Sequence, residues 1–301
     1  MTVTQELLTF THQGRGGRGC DTKMADHRTA LVLLAKWPGS GAAKTRLASQ
    51  LAITAADTLV PGTYTLAEAR EWTAEFVQGC VSDLVVRLAP ARESLGCDCI
   101  LLYAPPVDEA RLWFADLLEQ LQVADTWRLL PVLASSSGRS SNLGAILTDA
   151  MRRARVACNC RRVTFLGSDC PDLPLTSVAA VTCAAAEPKV AAVCPASDGG
   201  YTLLALPAEA DEAASFNGVH WSADDTCLSQ LAALTRAGLR CAIFDSHADV
   251  DEMADLRMLA ARLQTADGSS CPYTRAVLAK LEAVGMLAAP GAGDPGAAPA
   301  E

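Results

Sequence analysis

The chain has 301 residues, half of them hydrophobic, and a formal net charge of -9 at pH 7. An acidic balance of this size excludes a surface built for non-specific nucleic-acid binding, which needs a basic footprint. The length suits one large α/β domain or two small ones, and no apolar run reaches the roughly eighteen residues that a membrane-spanning helix needs.

From the N-terminus, residues 1–28 lack a signal-peptide core and carry Gly14-Arg15-Gly16-Gly17-Arg18-Gly19, so they read as a flexible leader. Residues 288–301 are mostly Ala, Pro and Gly and read as a disordered tail. Residues 29–287 form the predicted domain. Of twelve cysteines, Cys183, Cys194, Cys227 and Cys241 lie inside apolar runs. With no secretory signal, reduced and buried thiols are expected, and a cytoplasmic location with them. Cys97/Cys99 and Cys158/Cys160 lack Cys-x-x-Cys spacing and a nearby histidine, which argues against a structural metal site.

The domain alternates strand-like and helix-like stretches. Strands are expected at Ala30–Ala35, Cys99–Tyr103, Arg128–Leu133, Arg162–Leu166, Val190–Val193, Thr202–Ala205 and Arg240–Phe244. Helices are expected at Lys44–Ala52, Trp72–Ala89, Asp108–Gln122, Leu143–Ala154, Leu175–Ala186, Ala223–Ala237, Glu252–Leu263 and, packed on the outside, Pro272–Val284. This alternation implies βαβ units and a mostly parallel sheet covered on both faces.

The first strand runs into Lys36-Trp37-Pro38-Gly39-Ser40-Gly41-Ala42-Ala43-Lys44-Thr45-Arg46-Leu47. A Gly-rich turn opening a helix after the first strand is a phosphate-binding arrangement, since helix N–H groups and nearby cations face the anion. Gly41, Lys44, Thr45 and Arg46 are its candidate contacts. It is not a Walker loop, because Gly39 and Lys44 stand too close. The plainer reading is a solvated first helical turn.

The strand Arg162–Leu166 leads into Gly167-Ser168-Asp169-Cys170-Pro171-Asp172-Leu173-Pro174. A buried parallel strand delivers Asp169 to its carboxyl end, where open α/β sheets bind ligands. Two carboxylates in a Pro-bounded corner suit a divalent cation held against a diphosphate. Asp169 is read as functional. Asp172 stays open between function and capping the next helix, for which Thr176 and Ser177 are equally able.

Asp198-Gly199-Gly200-Tyr201 separates two strand-like runs. Asp-Gly there is first a hairpin signal, and the second glycine offers bare backbone to a sugar or base. After the last strand comes Asp249-Val250-Asp251. The two carboxylates are expected to face opposite sides, so both need not touch one metal. Taken alone, Asp251 reads as the cap of the following helix. His220 beside Trp221 reads as structural, with Ser222 and Asp225 matching a variant capping box. His27 and His247 show no partner.

Taken in order, Ala35-Lys36-Trp37-Pro38 through Lys44-Thr45-Arg46-Leu47, Gly167-Ser168-Asp169-Cys170-Pro171, Asp198-Gly199-Gly200-Tyr201 and Asp249-Val250-Asp251 resemble a known family. It is the family of small transferases associated with radical-SAM and selenium-domain proteins, long carried as a domain of unknown function. Its members look like GT-A-fold nucleotide-diphospho-sugar transferases and are similar to the guanylyltransferases of cofactor biosynthesis. Some bacterial members are named as glycosyltransferases of arsenosugar synthesis. The resemblance covers about residues 30–263. It implies that Lys44 and Arg46 neutralise a nucleotide's phosphates, and that Asp169 binds a metal with Asp251 as a second acidic contact. It also implies that Asp198, Gly199 and Gly200 line an acceptor or sugar pocket. The chain departs from the family at Asn142-Leu143-Gly144-Ala145-Ile146, where Asn replaces an acid and a Glu-Arg pair is missing. It departs again at Gly41-Ala42, where members carry Gly-Arg, and the Leu59–Ala91 region is longer than usual.

The resulting expectation is a Rossmann-like GT-A α/β domain that catalyses Mg²⁺- or Mn²⁺-assisted transfer from a nucleotide-activated donor to a small-molecule acceptor. A glycosyltransferase using a nucleotide sugar comes first. A nucleotidyltransferase using a nucleoside triphosphate and releasing pyrophosphate comes second, and a non-catalytic nucleotide-binding protein third. Neither nucleic acid nor membrane is an expected partner, and oligomeric state is not legible.

Overall fold

The computed structural model describes residues 28–41, 43–57, 65–133, 143–265 and 270–287. The expected leader up to residue 27, the expected tail, Ala42 and Asn142 lie outside these described residues.

All seven expected strands form one sheet. They are β1 (Thr29–Lys36), β2 (Cys97–Ala104), β3 (Trp127–Pro131), β4 (Arg162–Gly167), β5 (Val190–Pro195), β6 (Tyr201–Leu206) and β7 (Arg240–Ile243), in the order β3-β2-β1-β4-β6-β5-β7. The β1–β2, β1–β4, β2–β3 and β5–β7 pairs are parallel, while β6 runs antiparallel to both β4 and β5. The Asp198-Gly199 segment does close a hairpin between β5 and β6, with the Ala196 N–H donating to the Gly200 carbonyl at 2.9 Å.

The helices are α1 (Thr45–Asp57), α2 (Leu66–Leu88), α3 (Ala91–Ser94), α4 (Asp108–Gln120), α5 (Leu143–Cys158), α6 (Leu175–Ala184), α7 (Thr226–Arg236), α8 (Met253–Thr265) and α9 (Pro272–Ala283). Alternation along β1 sorts the core. Leu31, Leu33 and Ala35 face α2, α4 and α6, whereas Ala30 and Val32 face α5 and α7. The sheet is thus covered on both faces. A third cluster lies beyond α2, where Phe76 and Cys80 meet Leu47 of α1, Leu256 and Leu259 of α8 and Leu278 of α9.

This second apolar side explains the length of α2. It starts at Leu66 rather than the expected Trp72, because Thr65 and Glu68 form a capping box in which each side chain accepts the other residue's backbone N–H. Helix α9 docks on α2 through the buried Asp83, whose carboxylate accepts from the Tyr273 N–H at 3.1 Å and the Thr274 N–H at 2.7 Å. Burial pushes the Asp83 carboxyl up despite those bonds.

The capping box expected at Ser222 and Asp225 does not form. Ser222 takes a left-handed backbone (φ 59°), α7 begins at Thr226, and Asp225 binds His220 Nδ1 at 2.8 Å instead. Nor do Thr176 and Ser177 cap α6, whose first turn follows Pro174 without a side-chain cap. Ser177 Oγ instead lies 3.0 Å from His247 Nε2. The described cysteines are free thiols, mostly buried, and burial pushes those of Cys97 and Cys99 up to about 12. No helix among the described residues is long and apolar enough to cross a membrane.

Candidate active site

Strand order reverses at β1, which has β2 on one side and β4 on the other, both parallel to it. In open α/β sheets ligands bind at such a point, beyond the carboxyl ends of the strands. The register pairs Leu34 with Gly167, so the loops after β1 and β4 emerge side by side. A cavity of about 700 Å³ opens there. It is lined by Lys44 from the β1–α1 loop, Thr45 and Arg46 from the start of α1, Asp169 from the β4 corner, and Asp198 and Gly200 from the hairpin. Asp249 and Asp251, which lie between β7 and α8, complete its acidic wall.

Lys44 is the centre of the charge network. It precedes α1 in a left-handed conformation (φ 50°), and its carbonyl accepts the Ala48 N–H at 3.0 Å. Its ammonium donates to Asp169 Oδ2 at 2.6 Å and to Asp251 Oδ1 at 2.5 Å. The side chain is only 10% exposed. Burial works against the ammonium's charge, but the two carboxylates outweigh it and hold its pKa above the ordinary value. Burial pushes Asp251 up, but the Lys44 charge and hydrogen bond overcome this and hold it below the usual carboxylate range. Arg46 also lines the cavity but is exposed, 3.5 Å from Glu252.

Asp251 is therefore not the cap of α8. The Asp251 and Glu252 N–H groups both donate to Asp255 Oδ2, at 3.0 and 2.9 Å. The expected divergence of Asp249 and Asp251 is also overturned. Residues two apart on an extended segment share a side, and Val250 between them is fully buried in the third cluster. Backbone bonds fix the segment, His247 N–H to the Pro195 carbonyl and Val250 N–H to the Asp169 carbonyl, each at 3.0 Å.

Asp198, Asp249 and Asp251 bring carboxylate oxygens within 4.8 Å of one another, the only cluster with metal-ligand chemistry among the described residues. Burial, then the negative charge of Asp198, pushes Asp249 up to about 6. Carboxylates crowded this way, with one already sharing an ammonium, are an oxygen donor set that fits a hard divalent cation. Sequence reading named Asp169 and Asp251 for the metal and passed over Asp249, although its spacing from Asp251 was the available signal.

Two arginines hold the acidic corner. Arg87 of α2 donates to the carbonyls of Pro171 and of Leu173, the latter at 2.9 Å. Arg262 of α8 binds Asp172 through Nε at 2.7 Å and Nη2 at 3.3 Å. Asp172, left open by the sequence, thus ties the corner to α8.

Gly41 and Gly199 are not among the lining residues. Gly41 ends a short 3₁₀ turn, Pro38–Ser40, with its N–H on the Pro38 carbonyl. Gly199 has φ 89°, and a Cβ there would lie 2.0 Å from the Asp224 carbonyl oxygen, so its need is a close backbone approach within the protein. Gly200 does line the cavity, and its N–H donates to Asp198 Oδ1 at 2.8 Å. Tyr201, Trp221 and Asp224 also line it.

The chain has a Rossmann-like α/β fold of the GT-A type, with its cavity at the carboxyl ends of β1 and β4. A family model described as "Uncharacterized protein conserved in bacteria (DUF2064)" matches residues 91–223, which include Asp169 and Asp198 but neither Lys44 nor Asp251. None of the curated proteins matches the chain. Among solved structures, the chain is similar to one from Desulfovibrio desulfuricans G20, described provisionally as a nucleotide-diphospho-sugar transferase. Identity is 23%, with a TM-score of 0.66 over 85% of this chain and 96% of that one, a likeness of fold. A cytidylyltransferase from Leptospira borgpetersenii serovar Hardjo-bovis (strain JB197) aligns at 10% identity and a TM-score of 0.47, over 86% of this chain and 96% of that one.

Proposed function

We propose that this protein transfers a group from a nucleotide-activated donor to a small-molecule acceptor, and that the group is a sugar. One observation carries the reading. Lys44, Asp169, Asp198 and Asp251, each from a separate motif, line a single cavity at the carboxyl ends of β1 and β4. Asp198, Asp249 and Asp251, with Asp169 joined to Asp251 through Lys44, would hold a Mg²⁺ or Mn²⁺ ion, whose positive charge would screen the donor's phosphates. Lys44 and Arg46 would stabilise the charge that grows on the departing diphosphate. The carboxylates facing them keep the Lys44 ammonium charged throughout the physiological range.

A nucleotidyl transfer is the second reading. It is favoured by Lys44-Thr45-Arg46 standing at the head of α1, where a triphosphate would meet helix N–H groups and two cations.

A thermal-shift screen of nucleoside diphosphates, triphosphates and nucleotide sugars, each with and without Mn²⁺, tests both. A ligand bound only by the native state raises Tm by mass action. A Mn²⁺-dependent shift with a diphosphate and its sugar supports glycosyl transfer, and one with a triphosphate alone moves the assignment to nucleotidyl transfer. No shift with any of them leaves the non-catalytic reading. Asp169→Asn should remove the metal-dependent part of the shift, and an unchanged shift would remove Asp169 from the metal site.

A further inference from the structure

Trp221 occupies a position that the charge network does not explain. It lines the main cavity and also a second, shallower one of about 530 Å³, lined by Gly144, Thr148, Phe216 and Gly218 among others, so one indole separates the two. The Phe216 ring lies behind it at 6.5 Å between centroids. Its Nε1 edge lies over Gly144 at the start of α5, where an added Cβ would come within 2.8 Å of Nε1. Among the described residues no hydrogen bond engages the indole N–H, whereas the neighbouring Tyr201 hydroxyl is already bound to Gln230 at 3.2 Å.

The charges around this end of the cavity restrict what can bind there. The cations Lys36, Lys44 and Arg46 all belong to the β1 strand end, the loop after it and the first turn of α1, while the charged residues nearest Trp221 in the chain are Asp224 and Asp225. With Asp198 and Asp224 on the same cavity wall, a phosphate at Trp221 would meet like charge. The group that fits is uncharged, with C–H faces for an aromatic wall and hydroxyls for the carboxylates and the free N–H.

We propose that Trp221 forms the wall of a saccharide subsite, with Asp224 and Asp198 as hydroxyl acceptors and the indole N–H as a donor. The inference rests on the nucleotide-donor reading above and adds what lies beyond the phosphates. The ring could come from the nucleotide sugar or from the acceptor, and both present the same chemistry.

The test compares wild type, Trp221→Ala, Trp221→Phe and Gly144→Ala by calorimetric titration in Mn²⁺. Each is titrated with nucleoside diphosphates, with the corresponding nucleotide sugars, and with methyl glycosides added to diphosphate-saturated or free protein. The expected result is unchanged diphosphate affinity in all variants. Saccharide affinity should fall about tenfold in Trp221→Ala, a typical aromatic contribution. It should be largely kept in Trp221→Phe and reduced in Gly144→Ala, whose methyl group must displace the indole. Loss of the advantage of nucleotide sugar over diphosphate identifies the donor's ring, and loss of glycoside binding identifies the acceptor's. Weakened diphosphate binding would place the nucleobase on Trp221 and overturn the proposal. Saccharide binding unaffected by Trp221→Ala would overturn it too. A wild-type protein that binds no diphosphate defeats the nucleotide-donor reading, and the saccharide subsite then stands or falls on the glycosides alone. Gly144→Ala keeps the indole in the chain, so a folding defect confined to Trp221→Ala does not decide the outcome.

Discussion

The Lys44 ammonium lies 2.5 Å from Asp251 Oδ1 across 207 positions of chain, and the same ammonium binds Asp169 at 2.6 Å. One buried cation therefore joins the loop after β1, the corner after β4 and the segment before α8.

Replacing it should expose that dependence. Lys44→Met leaves Asp169 and Asp251 facing each other without a counter-charge. Both carboxylates are more than a third exposed, so the cost should be about 1–2 kcal/mol rather than the larger figure of a fully buried pair. Urea melts in EDTA measure the loss. Mn²⁺ should then raise the variant's Tm by more than it raises wild type's, and an equal rise would show that Lys44 does not compete for the metal-binding carboxylates.

Asp249 gives the apo protein a pH dependence. Its folded-state pKa is raised to about 6 from 3.8, so the fold favours the neutral acid. Its contribution to stability is complete below pH 3.8 and is lost as pH rises through about 6. In metal-free buffer, Asp249→Asn should therefore become more stable than wild type across that window and remain so at pH 7.5. Denaturation curves at pH 4, 5, 6 and 7.5 decide it, and parallel stability profiles for the two proteins would count against the burial of Asp249.

Arg87 donates to two backbone carbonyls and to the Cys271 sulfur, and so holds the corner that carries Asp169. Arg87→Met strands the Leu173 carbonyl and leaves that of Pro171 with only the Cys271 thiol, and an unsatisfied buried acceptor costs about 1–3 kcal/mol. Mn²⁺ affinity should fall with stability. Arg87→Lys should recover part of the stability, since one ammonium cannot reproduce the forked contact. Wild-type Mn²⁺ affinity in a destabilised Arg87→Met would separate the corner's support from its function.

Two glycines with positive φ should behave differently. Gly199→Ala drives a methyl group to 2.0 Å from the Asp224 carbonyl oxygen and should cost several kcal/mol or prevent folding. Gly41→Ala, at φ 64° with open space around it, should cost only about 1 kcal/mol. Comparable Tm losses would mean that backbone strain, not the clash, governs Gly199.

Much of the fold is legible in the chain because the sheet writes itself as short apolar runs. Leu31, Val32 and Leu33 are buried on both sheet faces, so β1 shows no polar interruption, and Val163–Leu166 in β4 is broken only by the buried Thr164. Helix starts were less legible. Thr65-Leu66-Ala67-Glu68 is a readable capping box that marks the true start of α2, whereas Ser222 and Asp225 present a similar pattern that His220 and a left-handed backbone divert. The glycines were legible as special positions but not in purpose. Gly199 and Gly200 adjoin in sequence, and only packing shows that one accommodates the Asp224 backbone while the other faces the cavity.

By itself the sequence determined the strands, the helices that separate them, and the residues able to carry charge chemistry at the strand ends. These are local matters of hydrophobic period and turn composition. Only the tertiary structure decided that Asp249 joins Asp198 and Asp251, that Asp172 ties the corner to α8 through Arg262, and that Trp221 separates two cavities. Each depends on which side chains meet across long stretches of chain. Burial and opposing charge fix those meetings, and neither is encoded in the spacing of neighbours.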